Sequence, residues 1–221
     1  MNILITAGPT IEDIDPVRFI SNRASGMLGL ALARAAAAKH SVTLIHGPVS
    51  AEVLCTAPPR ALCVAVRSAA QMNRAVFAHV QNADVVIMNA AVADFTVDKT
   101  SSTKLKKADG LNLKLKPTID ILKKLGAFKR NNGRPILIGF ALETGTGKTR
   151  ELRRRDAFKS ALAKLESKNL DAIVLNSPKT IGASDGDFLW IPREGVPIPL
   201  QGDKEMLAKK VIQFVAQMTA L

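Results

Sequence analysis

Apolar residues arrive along this chain in runs of five or six, each closed by glycine, proline or a polar turn. Residues 2–6 (NILIT) stop at Ala7-Gly8-Pro9, and residues 42–46 (VTLIH) stop at Gly47-Pro48. Residues 62–66 (LCVAV), 83–88 (ADVVIM), 135–140 (PILIGF) and 171–175 (DAIVL) repeat the pattern. Short apolar runs without polar alternation predict strands buried on both faces. Helical stretches separate them: an Ala-rich one at 27–39, one from the N-cap Ser68 to about Gln81, and a basic one at about 150–168. Strand–helix–strand order implies right-handed crossovers and a parallel sheet. The expected fold is therefore α/β: a Rossmann-like three-layer α/β/α domain with a mostly parallel sheet, spanning 1–221 as one unit.

The end of the chain follows another pattern. Residues 187–191 and 196–200 flank Pro-Arg-Glu-Gly, which predicts a hairpin whose prolines place it at the sheet edge. Residues 203–220 predict a closing amphipathic helix. The segment 96–116 is neither strongly helical nor apolar and reads as a flexible flap or an excursion from the sheet.

Composition narrows the class. Hydrophobic residues make up 47% of the 221, with no Tyr and one Trp, so the core must be aliphatic. The start MNILITAGPT lacks the basic region and apolar length of a signal peptide, and no window approaches the ~20 apolar residues of a membrane span. Cys55 and Cys63 stand at no zinc or redox spacing, so two reduced thiols are expected in a cytoplasmic protein. The net charge of +12 is localised: residues 1–99 carry 8 basic and 7 acidic side chains, residues 100–170 carry 18 and 6, and residues 171–221 carry 5 and 6. A cationic middle third calls for an anionic partner, whether nucleic acid, nucleotide or phosphorylated metabolite.

In an open parallel sheet, ligands bind at the loops after the strands. The first such loop holds Gly8, which permits a tight turn and close backbone approach to an anion. Next, 15–29 (DPVRFISNRASGMLG) places Arg18 and Asn22 four apart, ahead of Gly26 and Gly29 at the start of the Ala-rich helix. Arginine can clamp a carboxylate or phosphate, and a helix N-terminus attracts anions. After the fourth run, 88–95 (MNAAVADF) offers the small Ala90, Ala91 and Ala93, with room for a base or sugar, and Asp94 as an acceptor. Lys104, Lys106 and Lys107 follow, either as a solvated face or as cations that close over a triphosphate. Solvated turns, caps and packing seams are the structural alternatives for each of these. No GxGxxG and no complete P-loop is present: Arg150 stands at the third glycine of the one, Leu142 at the first of the other.

Taken in order, five blocks resemble the phosphopantothenoylcysteine synthetase family: 5–26, 89–95, KLKK at 104–107, GFALET at 139–144 and KLESKNLDAIVLN at 164–176. The resemblance implies a ligase that activates 4'-phosphopantothenate with CTP, ATP being the alternative nucleotide, and couples it to L-cysteine with Mg²⁺ present. It implies that Asn22, Arg18 and Lys104 are catalytic, and that Arg18, Asn22 and Ala90 hold the substrate. Nucleotide contacts fall on Gly8, Met88, Asn89, Ala90, Asp94, Lys104, Asp120, Ile121, Phe140, Lys164 and Lys168. No metal ligands are assigned, Mg²⁺ resting mainly on nucleotide phosphates. It further implies a homodimer whose flap serves the neighbouring subunit, and a phosphopantothenoylcysteine decarboxylase that is fused or separate.

The chain departs from that family twice. Ile119 stands at a proline's place in the nucleotide loop, and a basic stretch near 145–160 with Arg153-Arg154-Arg155 is about ten residues long for the family. Two rivals come from other classes. A nucleic-acid-binding protein fits a pI near 10.0 but lacks interleaved aromatics and the known motifs. An NAD(P)-dependent reductase fits the strand order but lacks the glycine fingerprint.

Overall fold

The computed structural model describes residues 1–107, 111–177, 180, 183 and 185–219. In chain order its elements are β1 (Asn2–Ala7), β2 (Ile11–Asp13), β3 (Phe19–Ser21), α1 (Met27–Ala37), β4 (Ser41–His46), α2 (Ala51–Leu54), β5 (Leu62–Ala65), α3 (Ala69–His79) and β6 (Val85–Met88). They continue with β7 (Phe95–Val97), β8 (Leu115–Pro117), α4 (Ile121–Asn132), β9 (Ile136–Leu142), α5 (Arg150–Ser167), β10 (Ala172–Asn176), β11 (Asp185–Pro192), β12 (Ile198–Asp203) and α6 (Lys204–Met218). Eight strands form one sheet in the order β12-β11-β10-β9-β6-β1-β4-β5. The six from β10 to β5 run parallel, and β11 lies antiparallel to both β10 and β12.

Each uninterrupted apolar run became a parallel strand for the reason its composition gives. In β1 five of the six residues are buried, and β6 is buried throughout, because helices cover both faces. One face packs against α1 and α6 through Ile3, Ile5, Leu30, Leu32, Val174 and Val211. The other packs against α3, α4 and α5 through Leu4, Val86, Met72, Leu125, Leu137 and Leu165. Burying a Leu, Ile or Val side chain is worth about 1.5–3 kcal/mol, so these two layers dominate the stability. Ser68 does cap α3, with Gln71 completing a capping box that sequence reading passed over. The α-helix there ends at His79, and a 3-10 turn, Val80–Asn82, finishes the segment.

Pro199 sits in β12, the edge strand, where its missing N–H costs no ladder bond. The segment 96–116 is an excursion anchored by the β7–β8 ribbon, in which Phe95 pairs with Pro117 and Val97 with Leu115. Three elements were not anticipated: the β2–β3 hairpin, the short α2, and α4. The basic stretch near 145–160 holds the loop before α5 and the first turns of that helix. Thr149 caps α5, and Gly145 and Gly147 pack so tightly on Arg153 and Leu152 that a methyl group there would fall within 2.3 Å of them.

Candidate functional site

Chain order reverses at β1: β4 and β5 extend the sheet on one side, β6 and β9 on the other. Ligands bind in the crevice beyond the carboxyl ends at such a switch point. A cleft of about 560 Å³ opens there.

Its floor is two loops zipped together. Ala91 N–H donates to the Gly8 carbonyl at 2.9 Å, and Thr10 N–H donates to the Ala91 carbonyl at 3.2 Å. Two buried hydroxyls add to this: Thr6 Oγ1 accepts from Ala90 N–H at 3.1 Å, and Thr10 Oγ1 from Ala93 N–H at 2.9 Å. The loop after β6 is thereby fixed to the loop after β1, and Met88, Asn89 and Ala90 line the cleft with Gly8.

One wall is the N-terminus of α1. Gly8 and Gly26 have φ of +74° and +80°, and a Cβ on either would strike the Val49 side chain at 2.7 and 2.5 Å. Gly29 has room for no methyl group: a Cβ there would lie 2.4 Å from Ala7 Cβ. The glycines therefore let the helix start directly on the β1 turn. Gly26 at the N-cap supplies no side-chain bond, so the first-turn N–H groups and the helix dipole offer a seat for an anion.

Asn22 crosses from this wall to the floor. Its Nδ2 donates to the carbonyls of Ala91 at 3.0 Å and Val92 at 3.2 Å. Both partners are acceptors, which fixes the amide orientation and leaves Oδ1, without a partner among the described residues, to serve a ligand.

The opposite wall comes from α4, α5 and the end of β9. Asp120, Ile121, Phe140, Lys164 and Lys168 all line it, with Ile119 beside them, and Asp94 stands on the floor loop. Both lysines are already paired. Lys164 bonds Glu143, and Lys168 reaches Asp120 at 2.9 Å. Asp120 also caps α4 by accepting from Lys123 N–H at 2.9 Å. Burial pushes its carboxyl up, but those bonds outweigh burial and hold it below the ordinary carboxylate range.

The far end, where β10 and β11 meet α6, holds residues to which sequence reading gave no role: Asn176, Thr180, Phe188 and Lys204. Asn176 lay within a quoted block, and Lys204 carried no signal beyond its place in the closing helix. Thr180 Oγ1 donates to the Ser177 carbonyl and so must accept from Asn176 Nδ2 at 3.1 Å. That leaves Asn176 Oδ1 buried without a partner among the described residues. Lys204 Nζ donates to the Ala183 carbonyl, and burial lowers its pKa.

Of the residues expected at the site, Gly8, Asn22, Met88, Asn89, Ala90, Asp94, Asp120, Ile121, Phe140, Lys164 and Lys168 converge on this one cleft. Arg18 and Lys104 do not line it. Arg18 is bonded instead to Asp15 and to the carbonyl of Leu105, the residue that follows Lys104. Among the described residues no three His, Cys, Asp or Glu side chains gather as a metal site. No helix there is long and apolar enough to cross a membrane.

The model of the DNA/pantothenate metabolism flavoprotein C-terminal domain family matches residues 1–218. A prokaryotic protein named cysteine/cysteine sulfinic acid decarboxylase is 47% identical over 186 residues, 83% of this chain and 48% of that protein. The coenzyme A biosynthesis bifunctional protein CoaBC of Bacillus subtilis is 45% identical over 189 residues, 84% of this chain and 42% of that protein. The chain thus spans about half the length of the curated relatives it matches. A crystal structure of the C-terminal domain of a CoaBC protein superposes with a TM-score of 0.79 at 35% identity, over 99% of this chain and 95% of that one. A Cab2 mutant in complex with phosphopantothenate-cysteine shares the fold at 17% identity, with a TM-score of 0.76 over 99% of this chain and 87% of that one.

Proposed function

The chain belongs to the DNA/pantothenate metabolism flavoprotein C-terminal domain family, and from that premise we propose that it is a phosphopantothenate–cysteine ligase of coenzyme A biosynthesis. The observation that carries this reading is the cleft at the switch point, where the Gly26-led N-terminus of α1, an oriented Asn22 and two lysines meet. The far longer relatives also carry other activities in their names. Those activities belong to proteins about twice this length.

Two steps are assigned to the cleft. The carboxylate of 4'-phosphopantothenate attacks the α-phosphate of CTP, an acyl–phosphate bond forms and pyrophosphate leaves. The amine of L-cysteine then attacks the acyl carbon, the C–N bond forms, its proton is lost and CMP leaves. Neither step needs a protein nucleophile. What both need is neutralisation of spreading negative charge, and preorganised donors at such positions are worth about 10²–10³ in rate. The α1 N–H groups and Lys164 and Lys168 supply such donors, and Asn22 Oδ1 is an acceptor for the incoming amine. Asn176 Oδ1 and the cation of Lys204 offer a further acceptor and donor at the far end. Mg²⁺, carried on the nucleotide phosphates, would add charge neutralisation there. Of the two carboxylates in the cleft lining, Asp120 is held by Lys168 and the α4 cap. Asp94 has no ion pair among the described residues, so Asp94 would meet such an ion.

The proposal includes a homodimer in which Arg18 and Lys104 serve the partner's cleft, since they stand outside their own. Val17 and Phe19, which flank Arg18 in the chain, and Phe95 and Leu115, on the β7–β8 ribbon, are exposed apolar side chains that a second copy would cover. The test is pyrophosphate release from 4'-phosphopantothenate and L-cysteine, with CTP, ATP or neither. Release with CTP that requires phosphopantothenate is the expected result. Release with ATP alone would overturn the nucleotide assignment, and the absence of release with either nucleotide would overturn the ligase reading.

A further inference from the structure

The mechanism above leaves Asp15 unused, yet it is a carboxylate only 2% exposed and crowded with donors. Its Oδ1 accepts from the N–H groups of Val17 and Arg18, each at 2.8 Å. Its Oδ2 accepts from Arg18 Nε at 2.9 Å, from Arg18 Nη2, and from Leu105 N–H at 3.1 Å. Arg18 Nη2 donates as well to the Leu105 carbonyl at 2.8 Å. Both backbone groups of Leu105 are thus gripped by one ion pair. The strap is tied again nearby: Ser101 N–H donates to the Ile14 carbonyl at 2.9 Å, and Thr100 Oγ1 to the Asp13 carbonyl at 3.2 Å.

We propose that Asp15 is a positioning residue: it locks the 13–18 turn and the 100–105 strap into one arm that presents Arg18 and Lys104 together as an anion clamp. Arginine carries five N–H donors. Here the Nε hydrogen and both Nη2 hydrogens hold the arm, and the Nη1 pair has no partner among the described residues. Lys104 precedes the gripped Leu105, so its backbone is held while its side chain stays exposed. A guanidinium edge and an ammonium carried on one arm take a phosphate or carboxylate. Which anion it takes rests on the ligase reading, where the substrate carries both. The Arg18 guanidinium also holds the Asp15 carboxyl well below the usual carboxylate range, so the clasp stays ionised at any pH the enzyme meets.

The test compares Asp15→Asn and Arg18→Lys with wild type, using the full chain. Asparagine removes one charged acceptor, and lysine keeps the cation but cannot grip in two places. Trypsin cleavage after Lys104, Lys106 and Lys107 is followed by mass spectrometry, beside kcat and KM for each substrate. Both variants are expected to be cut at the strap at least tenfold faster, and to lose about 10²-fold in kcat/KM, the usual effect of misplacing a positioning group by an ångström. The loss falls selectively on phosphopantothenate; a fold that is merely weakened would lower kcat for all substrates alike and leave KM unmoved. Should Asp15→Asn fail to fold, Arg18→Lys at its half-exposed site carries the same comparison. A strap cut at the wild-type rate overturns the clasp, as does a loosened strap with unchanged kcat/KM. If wild type shows no turnover, the ligase reading fails while the cleavage rates still decide the clasp.

Discussion

Replacing Gly29 by alanine adds one methyl group where α1 meets β1. The new Cβ would lie 2.4 Å from Ala7 Cβ and 3.0 Å from Ala7 Cα. Carbon atoms rest about 3.5–4.0 Å apart, so more than an ångström of overlap must be relieved. Neither atom is the tip of a flexible side chain, so the helix itself has to move. Overpacking of this kind costs about 1–3 kcal/mol, and the size of the overlap places Gly29→Ala at the upper end. Against this stands the better helix propensity of alanine, about 1 kcal/mol. The net expectation is a loss of about 2 kcal/mol, or roughly 4–8 °C in Tm for a chain of this size.

The displaced helix is also the anion seat, so kcat/KM should fall by about 10²-fold as its N–H groups withdraw from the cleft. Denaturant titration and steady-state kinetics measure the two effects independently. Adding Ala7→Gly removes the Cβ that is struck. The double variant should therefore recover a large part of both losses, although Ala7→Gly alone weakens β1 by about 0.5–1 kcal/mol. Wild-type stability and kinetics for Gly29→Ala would refute the packing argument. Equal losses in the single and double variants would show that the Ala7 contact is not the cause.

Two further outcomes follow from the same geometry. Asp120→Asn keeps a good N-cap but gives up the charge that holds Lys168. Because the native carboxyl sits below its unfolded value, its contribution is present above pH of about 4 and lost as pH falls further. The variant should therefore be less stable than wild type at pH 7 and indistinguishable near pH 2, as thermal melts across that range would show; a gap that persists in acid would mean that the charge is not responsible. Asn22→Asp places an acceptor against the Ala91 and Val92 carbonyls, and Lys104→Gln removes a cation from the arm. Each should lose about 10²–10³ in kcat, whereas co-refolding the two should restore activity, since a mixed dimer joins one intact cleft to one intact arm. No recovery on mixing would refute service of the partner's cleft.

The sheet was legible because its signal is redundant. Val85 to Met88 is apolar at every position and Ile3 to Ala7 at every position but Thr6, and a parallel strand between two helical layers accepts that. The β2–β3 and β7–β8 pairs were not legible, since three-residue strands show no period, and each of these exists through its partner. Helix α4 hid behind its charge: Ile121 and Leu125 form its buried stripe, but four Lys or Arg residues dilute the pattern. At the site, motifs identified the residues around the switch point. They could not show that Arg18 and Lys104 leave their own cleft, because that depends on Asp15 meeting Leu105 across 90 positions of sequence.

The charge distribution finally separates two jobs that composition had merged. The basic middle third suggested cations waiting for an anion, yet Lys164 and Lys168 already face Glu143 and Asp120. An incoming phosphate gains from these lysines only what exceeds their existing pairs, so they contribute orientation more than raw affinity. Among the described residues, positive charge without an ion-pair partner lies elsewhere, in the exposed Arg150, Arg153, Arg154 and Arg155 at the start of α5. Charges that far from a reacting centre act on approach, raising the encounter rate of an anionic substrate and losing that effect as salt shortens the Debye length. The cleft itself relies on backbone: glycine-permitted contact, uncapped N–H groups and carbonyls that aim one asparagine. It is therefore most sensitive to an added methyl group at Gly29 and least sensitive to the surface charge that gives the chain its high pI.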